Sequence, residues 1–291
     1  MDDLAGQRVT VMGVGRSGGG IGVTRFLAHA GADVLLTDRL GEPDLADTLA
    51  SIADLVDSGA VRLRLGGHNV SDFTTCDLVV ANPAVPRPWD DRFLRAAAAA
   101  HVPVTTEIAL LIERLPTRLR TIGVTGTAGK STTAAMIAHA LTHAGARVHL
   151  GGNIGGSLLD TLGDIAGDDW VVLELSSAML HWLGQWSPHI AVVTNFSPNH
   201  LDWHGTVEHY RRSKQRLLDH QFPGDFALLG GPDLPFTANE GVHTSGPHGL
   251  ADGCAPDLAL RVPGAHNAQN AMLAAAAAAV ATGASADDML R

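Results

Sequence analysis

The sequence predicts an α/β protein of two domains, each built on a mainly parallel sheet. Three observations predict it. Short runs that are apolar on both faces recur between helix-like stretches. Two glycine-rich loops each follow such a run. The 291 residues also exceed what one hydrophobic core usually serves.

The first domain is expected over residues 1–115. Residues 8–12 read as a strand, 13–22 as a glycine-rich turn, 23–30 as a helix and 34–37 as a second strand, which makes a β-α-β opening. Residues 78–81 read as another strand and 93–100 as another helix. Pro83, Pro86 and Pro88 crowd the connection between them, where a helix interior would not tolerate them. Leu115-Pro116 marks the boundary. The second domain, residues 116–291, restarts the alternation with strands over 122–124, 148–150, 170–174 and 190–194. Helices are expected over 131–143 and, with a polar face, over 210–220. Residues 222–263 are rich in Gly and Pro, with strands expected at 226–229 and 258–262; an alanine-rich helix follows over 268–281 on propensity.

Composition narrows the function classes. A net charge of -10, from 20 basic and 30 acidic side chains, gives a nucleic-acid backbone no general electrostatic reason to bind. No nucleic-acid partner is expected, and Arg211, Arg212, Lys214 and Arg216 read first as a solvated helix face. Cys76 and Cys254 make no metal spacing or disulfide framework, which fits a reducing compartment. No run approaches the length of a membrane span, and no basic and then apolar leader opens the chain. The expectation is a cytoplasmic protein without membrane insertion.

Gly13-Val14-Gly15-Arg16-Ser17-Gly18 follows the first strand, and Asp38 lies 20 residues beyond Gly18 at the end of the second. Such glycines bring backbone to a pyrophosphate, and a carboxylate at that distance receives ribose hydroxyls. A dinucleotide cofactor and a nucleotide-diphosphate sugar present the same groups, so the loop does not choose between them. Arg39 beside Asp38 reads as a phosphate or base contact, or as surface.

Gly126-Thr127-Ala128-Gly129-Lys130-Ser131 follows a strand and opens a helix. Backbone N–H groups, a lysine for the β/γ-phosphates and a hydroxyl for Mg²⁺ suit nucleoside triphosphate chemistry. The strict motif would need glycine where Val124 stands, so an accidental glycine turn is the competing reading. Glu174 ends an apolar run and reads as a hard-metal ligand or a surface glutamate. Asn195, Asn199, His200, Asp202 and His204 crowd the loop after the next strand, with no helical histidine pair to complete a zinc site. His200 reads as a Mg²⁺ ligand or substrate contact and Asp202 as a catalytic-loop residue, against a hydrogen-bonded turn. Lys214, four residues after Tyr210, faces the crevice or the solvent. Asn267 and Asn270 share a helix face and either bond a nucleotide or cap the helix.

Six blocks in order carry a family resemblance: Gly13 to Gly18, Gly126 to Thr132, Gly151-Gly152-Asn153-Ile154-Gly155, Leu173-Glu174-Leu175-Ser176-Ser177, Asn199-His200-Leu201-Asp202 and Gly264-Ala265-His266-Asn267. With them the chain resembles the Mur ligase family, most closely its UDP-N-acetylmuramoyl-L-alanine:D-glutamate ligases. The resemblance implies a Rossmann-like UDP-substrate-binding domain, with Gly15, Arg16, Asp38 and Arg39 near the UDP end, followed by a P-loop ATPase-like central domain. It implies ATP and Mg²⁺ as cofactors. Gly126, Thr127, Gly129, Lys130, Ser131 and Thr132 would take the phosphates, Asn267 and Asn270 the nucleotide, and Ser131, Glu174 and His200 the metal. Asn153, Ser176 and Ser177 would lie near the muramoyl substrate or the metal. Lys130, Glu174, His200, Asp202 and Lys214 form the implied catalytic set, Lys214 being the lysine that the family commonly carbamylates.

The implied activity is ATP-driven addition of D-glutamate to UDP-N-acetylmuramoyl-L-alanine through an acyl phosphate, in peptidoglycan synthesis, by a monomer. The chain departs from the family pattern at Ala128, where asparagine is usual, at Asn199, where aspartate is usual, and at Ala178-Met179, which replace Phe-Gln. It also ends at Arg291, where family members carry a third, acceptor-binding domain. A catalytically impaired UDP-sugar and ATP-binding paralogue, or a two-domain fragment, is the alternative these departures raise. A nicotinamide-dependent oxidoreductase would account only for residues 13–38.

Overall fold

The computed structural model describes residues 4–14, 19–246 and 264–290. The chain forms two compact units, Met1–Arg114 with Gly156–Gly163, and Leu115–Gly155 with Asp164–Arg291. Both are α/β, and every strand pairing in both is parallel. Among the described residues no helix is long and apolar enough to cross a membrane.

In the first unit the elements run β1 (Arg8–Met12), α1 (Gly19–His29), β2 (Asp33–Thr37), α2 (Glu42–Leu49), α3 (Ala53–Asp57), β3 (Val61–Arg64), α4 (Val70–Thr74), β4 (Leu78–Ala81), α5 (Arg92–Ala99), β5 (Val104–Thr105) and α6 (Glu107–Ile112). The sheet order is β3-β2-β1-β4-β5. Val9, Val11, Val34, Leu36, Val79 and Val80 are buried, as strands covered on both faces require. The helix starts at Gly19, earlier than the glycine-rich turn over 13–22 suggests. Close packing is the reason. A Cβ on Gly20 would sit 2.2 Å from the Val14 carbonyl oxygen, and one on Gly22 would sit 2.2 Å from the Ser157 Cβ. These glycines admit neighbours rather than break the helix.

The second unit runs β6 (Thr121–Thr125), α7 (Lys130–His143), β7 (Val148–Gly152), β8 (Trp170–Glu174), α8 (Ser177–Trp182), β9 (Ile190–Val193), α9 (Leu201–His204), α10 (Val207–Asp219), β10 (Phe226–Leu229), β11 (His243–Ser245), α11 (Ala265–Thr282) and α12 (Ala286–Met289). Its sheet order is β11-β10-β9-β6-β8-β7. The register sets Val124 of β6 beside both Glu174 of β8 and Val192 of β9, so three carboxyl ends emerge together. Ile137 and Leu141 of α7 and the alanines of α11 share one core cluster with Ile122, Val172 and Val192. Gly123 leaves room for α10, because its Cβ would meet Leu217 Cδ1 at 2.9 Å.

Two helices begin before their apolar pattern does. Thr206 caps α10 by accepting from the His209 N–H, so the helix opens at Val207 rather than at 210. The last helix opens at Ala265, directly after Gly264. The strand expected over 258–262 lies outside the described residues.

Candidate functional site

The carboxyl end of β6 leads into the loop 126–129, which ends at the N-terminus of α7. Gly126 has φ +151° and Gly129 has φ +79°, conformations that favour glycine. Space matters as much: a Cβ on Gly126 would lie 1.9 Å from Thr194 Oγ1, and one on Gly129 would lie 2.7 Å from the Asn270 amide oxygen. Beyond Gly129 the first turn of α7 carries Lys130, Ser131 and Thr132, with the unpaired N–H groups and positive dipole end of a helix start. Ser131 is exposed there, and Thr132 is half-buried.

The loop is held mainly from β9. Thr194 Oγ1 donates to the Ala128 carbonyl at 2.6 Å, and the Asn195 amide donates to that carbonyl at 3.0 Å. The same amide accepts from the Ala128 N–H at 2.9 Å, while the Thr127 N–H donates to the Asn195 carbonyl at 3.1 Å. The Thr127 hydroxyl lies 3.1 Å from the Tyr210 hydroxyl. Sequence reasoning singles out neither Thr194 nor Thr125, and Tyr210 only as a neighbour of Lys214. Thr125 and Thr194 sit at or just past strand ends beside the glycine loop, which was the available signal for them, whereas Tyr210 lies on α10.

Three charges converge on this loop. Lys130 Nζ donates to the Thr127 carbonyl at 3.1 Å. Lys214, only 1% exposed, donates to the Gly126 carbonyl at 2.7 Å and to Thr125 Oγ1 at 3.3 Å. It also lies 4.8 Å from the centre of the Tyr210 ring. Burial, then the repulsion of Lys130, pull the Lys214 pKa down to about 7, against the attraction of Glu174. Burial likewise lowers Lys130, and Glu174 opposes that shift. Glu174 is 1% exposed; its Oε1 accepts from the Asn153 amide at 2.9 Å, and its Oε2 is buried with no hydrogen-bond partner in the protein. A buried carboxylate oxygen in that condition needs a cation or a donor.

Around this centre, Asn267 and Asn270 are both buried at the start of α11, and the Asn270 amide donates to Asn267 Oδ1 at 3.4 Å. Their contact with Gly129 through Asn270 brings that helix start to the loop. His200 has φ +51°, precedes α9 and is exposed, its ring 6.0 Å from that of Tyr210. Asp202 is exposed in the first turn of α9. Ser176 caps α8 by accepting from the Met179 N–H, and Ser177 is buried against His204. Among the described residues no three His, Cys, Asp or Glu side chains cluster to hold a metal. Mg²⁺ asks for fewer protein ligands than such a cage, keeping waters and phosphate oxygens instead.

In the first unit, β1 and β4 are paired neighbours from which the strand order runs outward in opposite directions, a topological switch point of the kind where open α/β sheets take ligands. A Cβ on Gly13 would meet Asn82 Cβ there at 3.1 Å. Asp38 is nearly buried; Oδ2 accepts from the Val14 N–H at 2.8 Å and Oδ1 from the Leu40 N–H at 2.9 Å. It therefore ties the glycine loop to the end of β2. Arg39 is exposed and reaches Asp91 at 3.3 Å. Gly15 and Arg16 lie outside the described residues.

Comparison with known proteins covers both units. A Mur ligase MurD-like N-terminal domain matches residues 7–106, and a Mur ligase middle domain matches residues 124–243. A UDP-N-acetylmuramoylalanine--D-glutamate ligase of Roseiflexus sp. (strain RS-1) is 42% identical over 228 residues, covering 78% of this chain and 47% of that protein. Its counterpart in Pelotomaculum thermopropionicum is 38% identical over 304 residues, covering 96% of this chain and 64% of that protein. The chain thus spans roughly half to two thirds of the length of these relatives. The crystal structure of UDP-N-acetylmuramate:L-alanyl-gamma-D-glutamyl-meso-diaminopimelate ligase from Neisseria meningitides shares the fold, with a TM-score of 0.65 at 19% identity over 98% of both chains. Two consecutive domain matches, the relatives aligned across both and the common fold agree: this chain belongs to the Mur ligase family.

Proposed function

We propose that this chain binds ATP and UDP-N-acetylmuramoyl-L-alanine for ligation to D-glutamate, acting in the cytoplasm as a monomer in peptidoglycan synthesis. Residues 1–115 take the UDP end, through the β1 loop, Asp38 and Arg39, and residues 116–291 take ATP. The observation that carries the reading is the buried Glu174 Oε2, left without a protein partner beside a glycine loop that two lysines approach.

The residues present fit Mg²⁺: Glu174 would hold it with Ser131 and His200. When bound, it would offset phosphate charge as an anionic carboxylate approaches. Lys130 is placed to leave the Thr127 carbonyl for the β/γ-phosphates, and the N–H groups of α7 receive the remaining oxygens. In the first step a substrate carboxylate oxygen bonds to the γ-phosphorus as the bond to ADP breaks. In the second, the D-glutamate amine attacks the acyl carbon, phosphate leaves with the C–O bond electrons, and the amine proton passes to solvent or a base. Lys214 holds the Gly126 carbonyl and so fixes the loop against α10. Asn153 fixes Glu174.

The acyl phosphate has a direct test with the protein expressed from its whole coding region. With ¹⁸O in the substrate carboxylate, one label should appear in each phosphate released during amide formation. Amide product with unlabelled phosphate would overturn the two-step route.

A further inference from the structure

Ser177, His204 and His209 form a side-chain series that the reaction above leaves unused. Ser177 opens α8, three residues past Glu174, and its Oγ lies 2.9 Å from His204 Nε2. The other ring nitrogen of His204, Nδ1, lies 2.8 Å from His209 Nδ1. Each separation is a hydrogen bond and holds one proton. Both nitrogens of His204 are therefore committed.

The surroundings decide which ring takes up a proton. His204 is 2% exposed and faces His209 and Lys214 of α10, His181 of α8 and His200. Burial first, then those neighbours, push its pKa down to about 3, so it is neutral at ordinary pH. His209 is less buried; burial and then Arg216 and Arg212 lower its pKa. His181, 5.2 Å from His209 between ring centres, is pushed down to about 4 by burial, Arg216 and His209. The three histidines do not form a metal site.

A neutral imidazole donates from one nitrogen and accepts at the other, so two proton arrangements satisfy the series. In one, Ser177 donates to His204 Nε2, and His204 Nδ1 donates to His209. In the other, His209 donates to His204 Nδ1, and His204 Nε2 donates to Ser177 Oγ. A protonated His209 carries hydrogen on both nitrogens and permits only the second.

We propose that His204 is a positioning residue that passes the protonation state of His209 to Ser177, so that with His209 protonated the Ser177 hydroxyl is released to donate to an anionic oxygen of the bound substrate. The substrate contact rests on the ligase reading; the coupling between His209 and His204 does not. Only protons move along the series, and no bond to carbon or phosphorus changes.

Two measurements test it. Ring ¹⁵N signals of histidine-labelled protein report the tautomer of His204 through a titration between about pH 5 and 8. His204 should move fully to the Nε2–H tautomer as His209 takes up its proton, and His209→Phe should abolish that movement. A His204 tautomer that stays fixed while His209 titrates overturns the proposal, and this arm needs no variant and no substrate. By calorimetry, UDP-N-acetylmuramoyl-L-alanine should bind on the order of tenfold tighter with His209 protonated, as expected for a hydrogen bond to a charged group. Ser177→Ala and His209→Phe should each remove that pH dependence. Its survival in Ser177→Ala overturns the substrate arm, whereas no binding at any pH, with the tautomer coupling intact, refutes the ligase reading alone.

Discussion

Lys130 and Lys214 lie against the same glycine loop on carbonyls one residue apart, yet their settings differ. Lys214 is almost wholly enclosed, with its ammonium on the Gly126 carbonyl, while Lys130 is half-buried at the first position of α7, where an anion would meet it. Lys130→Ala should lower ATP turnover by about 10²–10³-fold, the usual loss when one stabilising donor is removed from a developing charge. UDP-ligand binding, which the reading assigns to the other unit, should be unchanged by calorimetry. Unchanged turnover would remove Lys130 from its assigned role. Glu174 and Asn153 show why single residues are hard to assign in isolation: a glutamate at a strand end is commonplace, and only its burial and orphaned Oε2 mark it.

At the scale of elements, the site is the meeting of β6, β8 and β9 with the starts of α7 and α11. Gly129 is where two of these touch, because its φ of +79° and the Asn270 amide both exclude a side chain. Gly129→Ala should destabilise the protein by about 1–3 kcal/mol in denaturant unfolding and weaken nucleotide binding. Wild-type stability would show that the loop relaxes freely. The buried strands, β1, β2, β4, β6, β8, β9 and β10, were legible because parallel strands covered on both faces read as apolar runs. The strands β3, β5 and β11 were not, since Arg62, Arg64, Thr105, His243 and Thr244 interrupt or replace such a run. The glycine loop between β6 and α7 was legible from its spacing. Thr194, which holds the glycine loop across 66 residues of sequence, belongs to no motif, and Asn195 reads only as part of the crowded loop after β9, not as a partner of Ala128 67 residues away. The pairing of Ser177 with His204 was hidden for the same reason.

For the whole molecule, buried titratable groups make stability depend on pH with opposing signs. His181 and His204 are pushed to about 4 and about 3, mainly by burial, so between those values and about 6.5 the unfolded chain binds their protons and the folded chain does not. Their stabilisation is full above about 6.5 and is lost as pH falls through that window. Glu107 runs the other way: burial, reinforced by Asp160 and opposed by a Ser157 hydrogen bond, raises its pKa to about 7. Its contribution is full below about 4.3 and is lost as pH rises through 7. In the overlap, two histidine protons gained on unfolding outweigh one glutamate proton released, so these groups make stability rise with pH. Glu107→Gln should steepen that rise in thermal unfolding between about pH 5 and 6.5; an unchanged slope would deny the buried protonated carboxyl. The central claim has a more direct test in phosphate release from ATP by the protein expressed from its whole coding region. The account predicts release that requires UDP-N-acetylmuramoyl-L-alanine and D-glutamate together with Mg²⁺, matched mole for mole by the amide product. Release independent of either substrate, or none from folded protein that binds ATP, would contradict it.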